Sequence, residues 1–363
     1  MLAPLIRATQ ALSLTLGLAT AAPAQDWHAL GTGIGGTSPS MGVFATTPHA
    51  TELVAGGDFQ QAGGVPVNSV ASWNGSRWKA FGTGLGGPVE ALAVYNGELI
   101  AAGAFEFAGS KQVNNVARWK AAKGKWVPMG SGLPGRVQAM VVWNGKLVAG
   151  GYFTGSGRKV YNRIAQWDGS NWKPLGSGLD GQVMALGVHG TDLYAGGFFN
   201  SAGGVPAHRV ARWDGVQWQA VGQGADNGVG GYVYSLASFQ GDLIVGGLFF
   251  SAGTMAANNI ARWDGAQWHP LGSGTYDVTG TGYVMALAEH QGRLLATGHF
   301  QTAGGTYVNN IAAWDGGNWA PVGSGLGNGG FSNEYGFALA PWNGELVAGG
   351  IFAGPGRYIA SWY

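Results

Sequence analysis

The stretch "NNIARWDGAQWHPLGSG", residues 258–274, sets Trp263 and Trp268 five positions apart around an Asp-Gly pair. Near copies stand at 162 ("NRIAQWDGSNWKPLGSG"), 208 ("HRVARWDGVQWQAVGQG") and 309 ("NNIAAWDGGNWAPVGSG"). Working outward, the second tryptophan recurs as Trp27, Trp78, Trp126, Trp172, Trp218, Trp268 and Trp319. The first recurs as Trp73, Trp119, Trp167, Trp213, Trp263, Trp314 and Trp362, and spacings within both series are 46 to 51 residues. A fixed period of this size marks a repeat architecture, in which each unit buries its apolar face against its neighbours.

Each unit reads as four short apolar runs. In the second these are "VEALAVY" (89–95), "ELIAAGAF" (98–105), "NNVARWK" (114–120) and "KWVPMGSG" (125–132). Alternation, β-branched residues and Gly-rich punctuation make them strands, and no stretch sustains a helical period. Seven such units predict an all-β chain folded as a seven-bladed β-propeller with four antiparallel strands per blade. Asn-Gly at 96 and 144 closes strands one and two, and Asp-Gly at 168, 214, 264 and 315 closes strands three and four. These tight turns share one face, so the longer connections fall on the other, where function is expected. "DWHALGTG" (26–33) is a fourth strand with no blade before it, and "RYIASWY" (357–363) a third strand with none after it. The N-terminal strand is therefore expected to close the last blade and remove an open edge.

The repeated residues read as packing. They are the tryptophans, the column Phe59, Phe105, Phe153, Phe199, Phe249, Phe300 and Phe352, and Gly pairs such as Gly56-Gly57 and Gly150-Gly151. Runs such as "ELVAGG" (52–57) and "DLYAGG" (192–197), with an aromatic pair later in the repeat, resemble the kelch type of propeller, which includes the galactose-oxidase central domain. The fuller phrase, "AGGxFxxAGG" then "NxIAxWDGxxW", is similar to repeats of the cortical cell-polarity marker family and of exported bacterial propellers. It covers residues 26–363 and implies the architecture, while propellers host binding modules, scaffolds and several enzyme classes.

Composition narrows the classes. The 363 residues are 10% charged, hold 69 glycines and carry a net charge of +1, so a global nucleic-acid footprint is not expected. The absence of cysteine excludes disulfides, thiolate metal sites, a cysteine nucleophile and the copper centre of galactose oxidase. Sialidase boxes place glycine two and tryptophan five positions after the aspartate, whereas Asp264 is followed at one and four by Gly265 and Trp268. No metal or cofactor motif appears. The first 25 residues, with a single Arg7, an apolar run near Ala11–Ala19 and Ala22-Pro23-Ala24, read as a signal peptide cleaved after Ala24. Residues 25–363 are then one exported domain, periplasmic or extracellular, with no transmembrane segment.

Departures from the repeat point to the site. Before the Phe column stand Asp58, Ala104, Tyr152, Phe198, Leu248, His299 and Ile351; at the second position of the first strand stand Phe44, Glu90, Gln138, Met184, Tyr234, Met285 and Phe337. His208 and Arg357 stand where most units have asparagine. Glu90, His208, Tyr234 and His299 are the candidate acid–base residues, although ordinary variation at half-exposed positions reads the same way. His49, His189 and His290 align with aromatic residues at the tight-turn end and are expected to pack as rings.

Four long connections, at 222–235, 272–286, 323–338 and 31–45, predict a wall on one side of the loop face, to which Tyr276, Asp277, Glu334 and Tyr335 contribute. Residues 75–175 carry 13 basic against 4 acidic side chains, a net +9, and the rest of the exported chain 5 against 14, a net −9. That sector is expected to attract anions, with Lys111, Arg158 and Lys159 as contacts, although a solvated dipolar surface is the plainer alternative. The leading function is a binding or scaffold module for cell-surface glycan or a protein partner. A polysaccharide lyase or hydrolase at the loop face is the alternative, and a structural subunit of an envelope or extracellular assembly the third.

Overall fold

The computed structural model describes residues 26–38, 41–156, 159–327, 334–354 and 356–363, so the signal-peptide expectation lies outside the described residues. Regular structure among these is β throughout, apart from single 3-10 turns at Ala121–Lys123 and Gly224–Asp226. The strands form four-stranded antiparallel sheets, seven among the described residues, as in a β-propeller. In the first, Gly42–His49, Glu52–Asp58, Val70–Trp73 and Trp78–Ala80 are paired in that order. The others repeat this along the chain, and their innermost strands pack one against the next. The seventh takes its outer strand from the other end of the chain: Trp27–Ala29 pairs with Ile359–Trp362 through Trp27↔Trp362, His28↔Ser361 and Ala29↔Ala360.

The repeated residues hold neighbouring sheets together. The Phe column is fully buried, and the tryptophan pairs meet at 5.3–5.5 Å between ring centroids. The second tryptophan also reaches the preceding unit. Trp78 Nε1 donates to the Leu30 carbonyl at 2.8 Å, Trp218 to Leu175 at 3.2 Å and Trp27 to Val322 at 3.0 Å. The first Gly of the pair lets sheets approach: a Cβ on Gly196 would lie 2.4 Å from Val233 of the next sheet, and one on Gly349 2.5 Å from Val43 of the first.

The turns divide into two kinds. Asn96-Gly97 has both residues at positive φ (50° and 76°), as a type I′ hairpin requires. In the Asp-Gly turns only the glycine does; Asp264 Oδ1 instead accepts the Ala266 and Gln267 N–H groups, each at 2.8 Å. On the opposite face the strand-two to strand-three connections carry small hairpins, such as Gln61–Ala62 with Val65–Pro66. Inter-sheet loops dock on the next hairpin through Ile34↔Ala62 and Thr275↔Ala303.

Candidate functional site

The innermost strand of every sheet alternates side chains between the neighbouring sheets and the central space, and a bulge follows its second residue of the register. Phe44, Glu90, Gln138, Met184, Tyr234, Met285 and Phe337, one from each sheet, all line one open cavity of about 390 Å³, together with Arg136 and Ile351. The seven positions read from the sequence thus share one open, funnel-like cavity. Two positions earlier on the same strands, and therefore on the same side, stand Arg136, Gln182, Tyr232, Tyr283 and Tyr335 in the third to seventh sheets.

One side of the funnel is aromatic. Phe198 stacks on Tyr232 at 4.4 Å, and Tyr232 on Tyr234 at 6.0 Å. Tyr234 meets Tyr283 edge-on at 6.2 Å; Tyr283 stacks on Tyr335 at 6.0 Å, and Tyr335 on Phe337 at 5.8 Å. Phe44 ends the arc, 5.5 Å from Phe337. Burial raises the Tyr234 hydroxyl above its ordinary range, and raises Tyr283 further with help from Tyr335 and Tyr234, so both stay protonated as hydrogen-bonding groups.

The other side is polar. Arg136 Nε donates to both Glu90 oxygens at 2.8 and 2.7 Å, and Gln182 Nε2 donates to Gln138 Oε1. The Glu90 side chain is 10% exposed and that of Arg136 54%. Burial pushes the Glu90 carboxyl above the usual carboxylate range, with the Arg136 hydrogen bond and charge pulling against it.

His299 stands at the rim, 5.5 Å from the Tyr283 ring and 5.1 Å from that of Tyr335. Its Nδ1 lies 3.3 Å from the Glu334 carbonyl and its Nε2 3.6 Å from Asp277 Oδ2. Burial opposes ionisation of Asp277. The Thr281 N–H, the Thr279 hydroxyl and N–H and His299 outweigh it and hold the carboxyl below its ordinary range.

The remaining candidates are dispersed. His208 is not among the funnel residues: it is exposed on an outer loop, at a position that elsewhere holds a structural clamp. Asn68, Asn114, Asn162, Asn258 and Asn309 each donate Nδ2 to the carbonyl of a following loop, at 2.7 to 3.3 Å. In the fourth unit Asn227, supplied by the longer connection, takes over. Its Oδ1 accepts the His208 N–H at 3.2 Å and its Nδ2 donates to the Pro206 carbonyl at 3.0 Å.

Described residues of the long connections bond to neighbouring elements. Tyr276 bonds Asn258 through its hydroxyl, and Asp226 accepts the Thr254 N–H and hydroxyl. Glu334 is buried and accepts the Ala353 N–H at 3.0 Å. Asp58 accepts the Ser38 hydroxyl at 2.5 Å and lines a separate hollow of about 410 Å³ with Asn68 and Thr83. Lys111 is exposed on an outer hairpin, Lys159 pairs with Ser156 in another, and Arg158 lies outside the described residues. At the tight-turn end His290 is buried 6.2 Å from the Trp362 ring and His189 meets Tyr194 at 5.9 Å, while His49 Nε2 lies 3.4 Å from the Gly97 carbonyl.

The sequence reading missed Arg136, Tyr232 and Tyr283, and read Tyr335 as a loop residue. The signal was available: strand alternation puts residue i−2 on the face of residue i, so one set of facing positions implied a second. No group of three or more His, Cys, Asp or Glu among the described residues converges to hold a metal ion, and no helix among them is long and apolar enough to cross a membrane.

Among solved structures 423 chains match. One is the crystal structure of the computationally designed Ika8 protein, 13% identical over 89% of this chain and 96% of that one, with a TM-score of 0.49. No curated protein matches. Residues 32–186 match the family model described as the Rax2 C-terminal beta propeller domain, which supports a β-propeller.

Proposed function

We propose that the seven sheets are blades of one closed, kelch-type propeller, exported by a signal peptide over residues 1–24, and that its axial funnel is a glycan-binding site. Closure is supported by the Trp27–Ala29 strand and by the Trp27 and Trp78 indole bonds, which follow the pattern of the inner units. The observation that carries the binding reading is the division of the funnel. A pyranose ring has an apolar C–H face and a rim of hydroxyls; the tyrosine arc suits the first and Arg136, Gln138, Gln182 and Glu90 the second. An open, mainly apolar cavity with a few convergent polar groups is the ordinary form of such a site.

A catalytic reading has less support. His299 has a carboxylate nearby, but the Tyr234 and Tyr283 hydroxyls are held protonated, which disfavours either as a base, and His208 is remote from the funnel lining. A glycan array probed with the intact chain tests the binding reading. Ligands found there should bind about 30-fold more weakly to the Tyr283→Ala variant, the loss typical of a central aromatic anchor. Binding that is indifferent to Tyr283 would refute the funnel as the site.

A further inference from the structure

Before the third strand of each sheet stands a residue with a left-handed backbone: Ser69, Asn115, Arg163, Arg209, Asn259, Asn310 and Tyr358, with φ between 62° and 72°. Asparagine suits this conformation, and three of the units use it structurally. Asn115, Asn259 and Asn310 donate Nδ2 to the carbonyls of Leu133, Thr275 and Leu326 at 2.8 to 3.0 Å. The third and fourth sheets, which are neighbours, place arginine there instead. Long side chains are uncommon at such φ, and these two neighbouring units, like those of Ser69 and Tyr358, lack the asparagine bond.

Both arginines do the same thing. The Arg163 guanidinium lies 4.8 Å from the centroid of Tyr152, and that of Arg209 4.5 Å from the centroid of Phe198. Both rings are exposed at the funnel mouth, by 59% and 43%. Tyr152 is the strand partner of Arg136, and Phe198 that of Gln182 and the first ring of the aromatic arc. Neither arginine has an acidic partner among the described residues. Arg209 spends one nitrogen on the Phe199 carbonyl and the Asn200 side chain, Arg163 makes no side-chain hydrogen bond to the described residues, and Nε is buried in both. Arg136 is committed to Glu90 only through Nε, and its outer fork is exposed. Three guanidinium groups, two of them over aromatic rings, thus border one side of the mouth.

We propose that this quadrant recognises the anionic groups of an acidic polysaccharide, with Arg163 and Arg209 as specificity-determining residues and the Phe198–Tyr232–Tyr283 arc taking the sugar rings. The inference rests on the glycan reading of the funnel. With Nε buried in both and Nη1 of Arg209 already bonded, Arg163 can offer its Nη1 and Nη2 groups and Arg209 its Nη2 to a carboxylate or sulfate, and contact with the ring reduces the entropy lost on binding.

The test uses four polymers: polygalacturonate, its methyl ester, dextran sulfate and dextran. Each is titrated into the full exported chain and into the Arg163→Asn/Arg209→Asn variant. Asparagine already occupies this position in three units, so the variant is expected to fold, with unchanged or raised thermal stability. Polygalacturonate or dextran sulfate should bind the native chain more tightly than its neutral counterpart and weaken with salt. The variant should lose about tenfold or more of that affinity and leave the neutral polymer unaffected. Equal binding of acid and neutral forms, or an unchanged acid affinity in the variant, overturns the anion quadrant and leaves the glycan reading standing. Binding of none of the four overturns both.

Discussion

The two halves of the funnel are made by the same strand in the same register, and they differ almost entirely in two side chains per sheet. In the fifth to seventh sheets these are Tyr232 and Tyr234, Tyr283 and Met285, and Tyr335 and Phe337; in the third and fourth they are Arg136 and Gln138, and Gln182 and Met184. The first half is a run of stacked and edge-on ring contacts and the second a set of paired polar groups. A rigid repeated frame therefore tolerates opposite chemistries across one cavity, because packing between sheets is done by side chains on the other side of each strand. The frame and the site are separable, and each half can be altered without the other.

The largest expected effect tests that separability from the frame's side. Deleting residues 25–33 removes the strand that pairs with Ile359–Trp362 in the sheet carrying Tyr335, and with it the buried Trp27. The indole alone is worth about 3–5 kcal/mol, and a paired edge becomes open. Thermal unfolding should show a large loss of stability with aggregation. A truncated chain that melts like the intact one would mean that the clasp does not hold the seventh sheet.

A smaller effect separates structural departures from functional ones. Asn227→Ala should cost about 1 kcal/mol through its two lost hydrogen bonds, and should leave binding at the funnel unchanged. His208→Asn should fall within about 0.5 kcal/mol of the native chain. Denaturant midpoints check both, and a loss of ligand affinity in His208→Asn would return that residue to the site.

The smallest effect concerns the polar half. Burial holds the Glu90 carboxyl above its ordinary value of 4.5. A raised carboxyl gives a contribution to stability that is fully present below the unfolded value and is lost as pH rises through the folded one. The native chain should therefore lose stability relative to Glu90→Gln over that window, by about 1 kcal/mol or less. Melting temperatures of the two proteins across pH 4 to 8 measure the difference; a difference that does not fall with pH would contradict the buried placement of Glu90.

Much of the fold was legible in the sequence because its signals repeat. The Trp pair, the buried Phe column and the two turn dipeptides each recur at one register, so periodicity gave the sheets and the pairing of Trp27–Ala29 with the last of them. The ring from Phe44 to Phe337 was legible for the same reason. What was not legible required knowing what the repeated residue does. His208 stood out as a departure, but the asparagine it replaces is a clamp that Asn227 restores from another loop. Arg163 and Arg209 did not stand out, since the positive φ that makes them unusual belongs to the backbone and not to the sequence pattern. Tyr276 and Glu334 read as wall residues, and length alone does not reveal their bonds to Asn258 and Ala353.

On the proposed reading, one funnel binds sugar rings on its tyrosine half and acidic groups on its arginine half. The most direct measurement is a crystal structure of the exported chain with trigalacturonate. Sugar rings are expected against Tyr232, Tyr283 and Tyr335, with a carboxylate on Arg163, Arg209 or the free edge of Arg136. Sugar found only on the outer hairpins or at the tight-turn face, with the funnel empty, would contradict it.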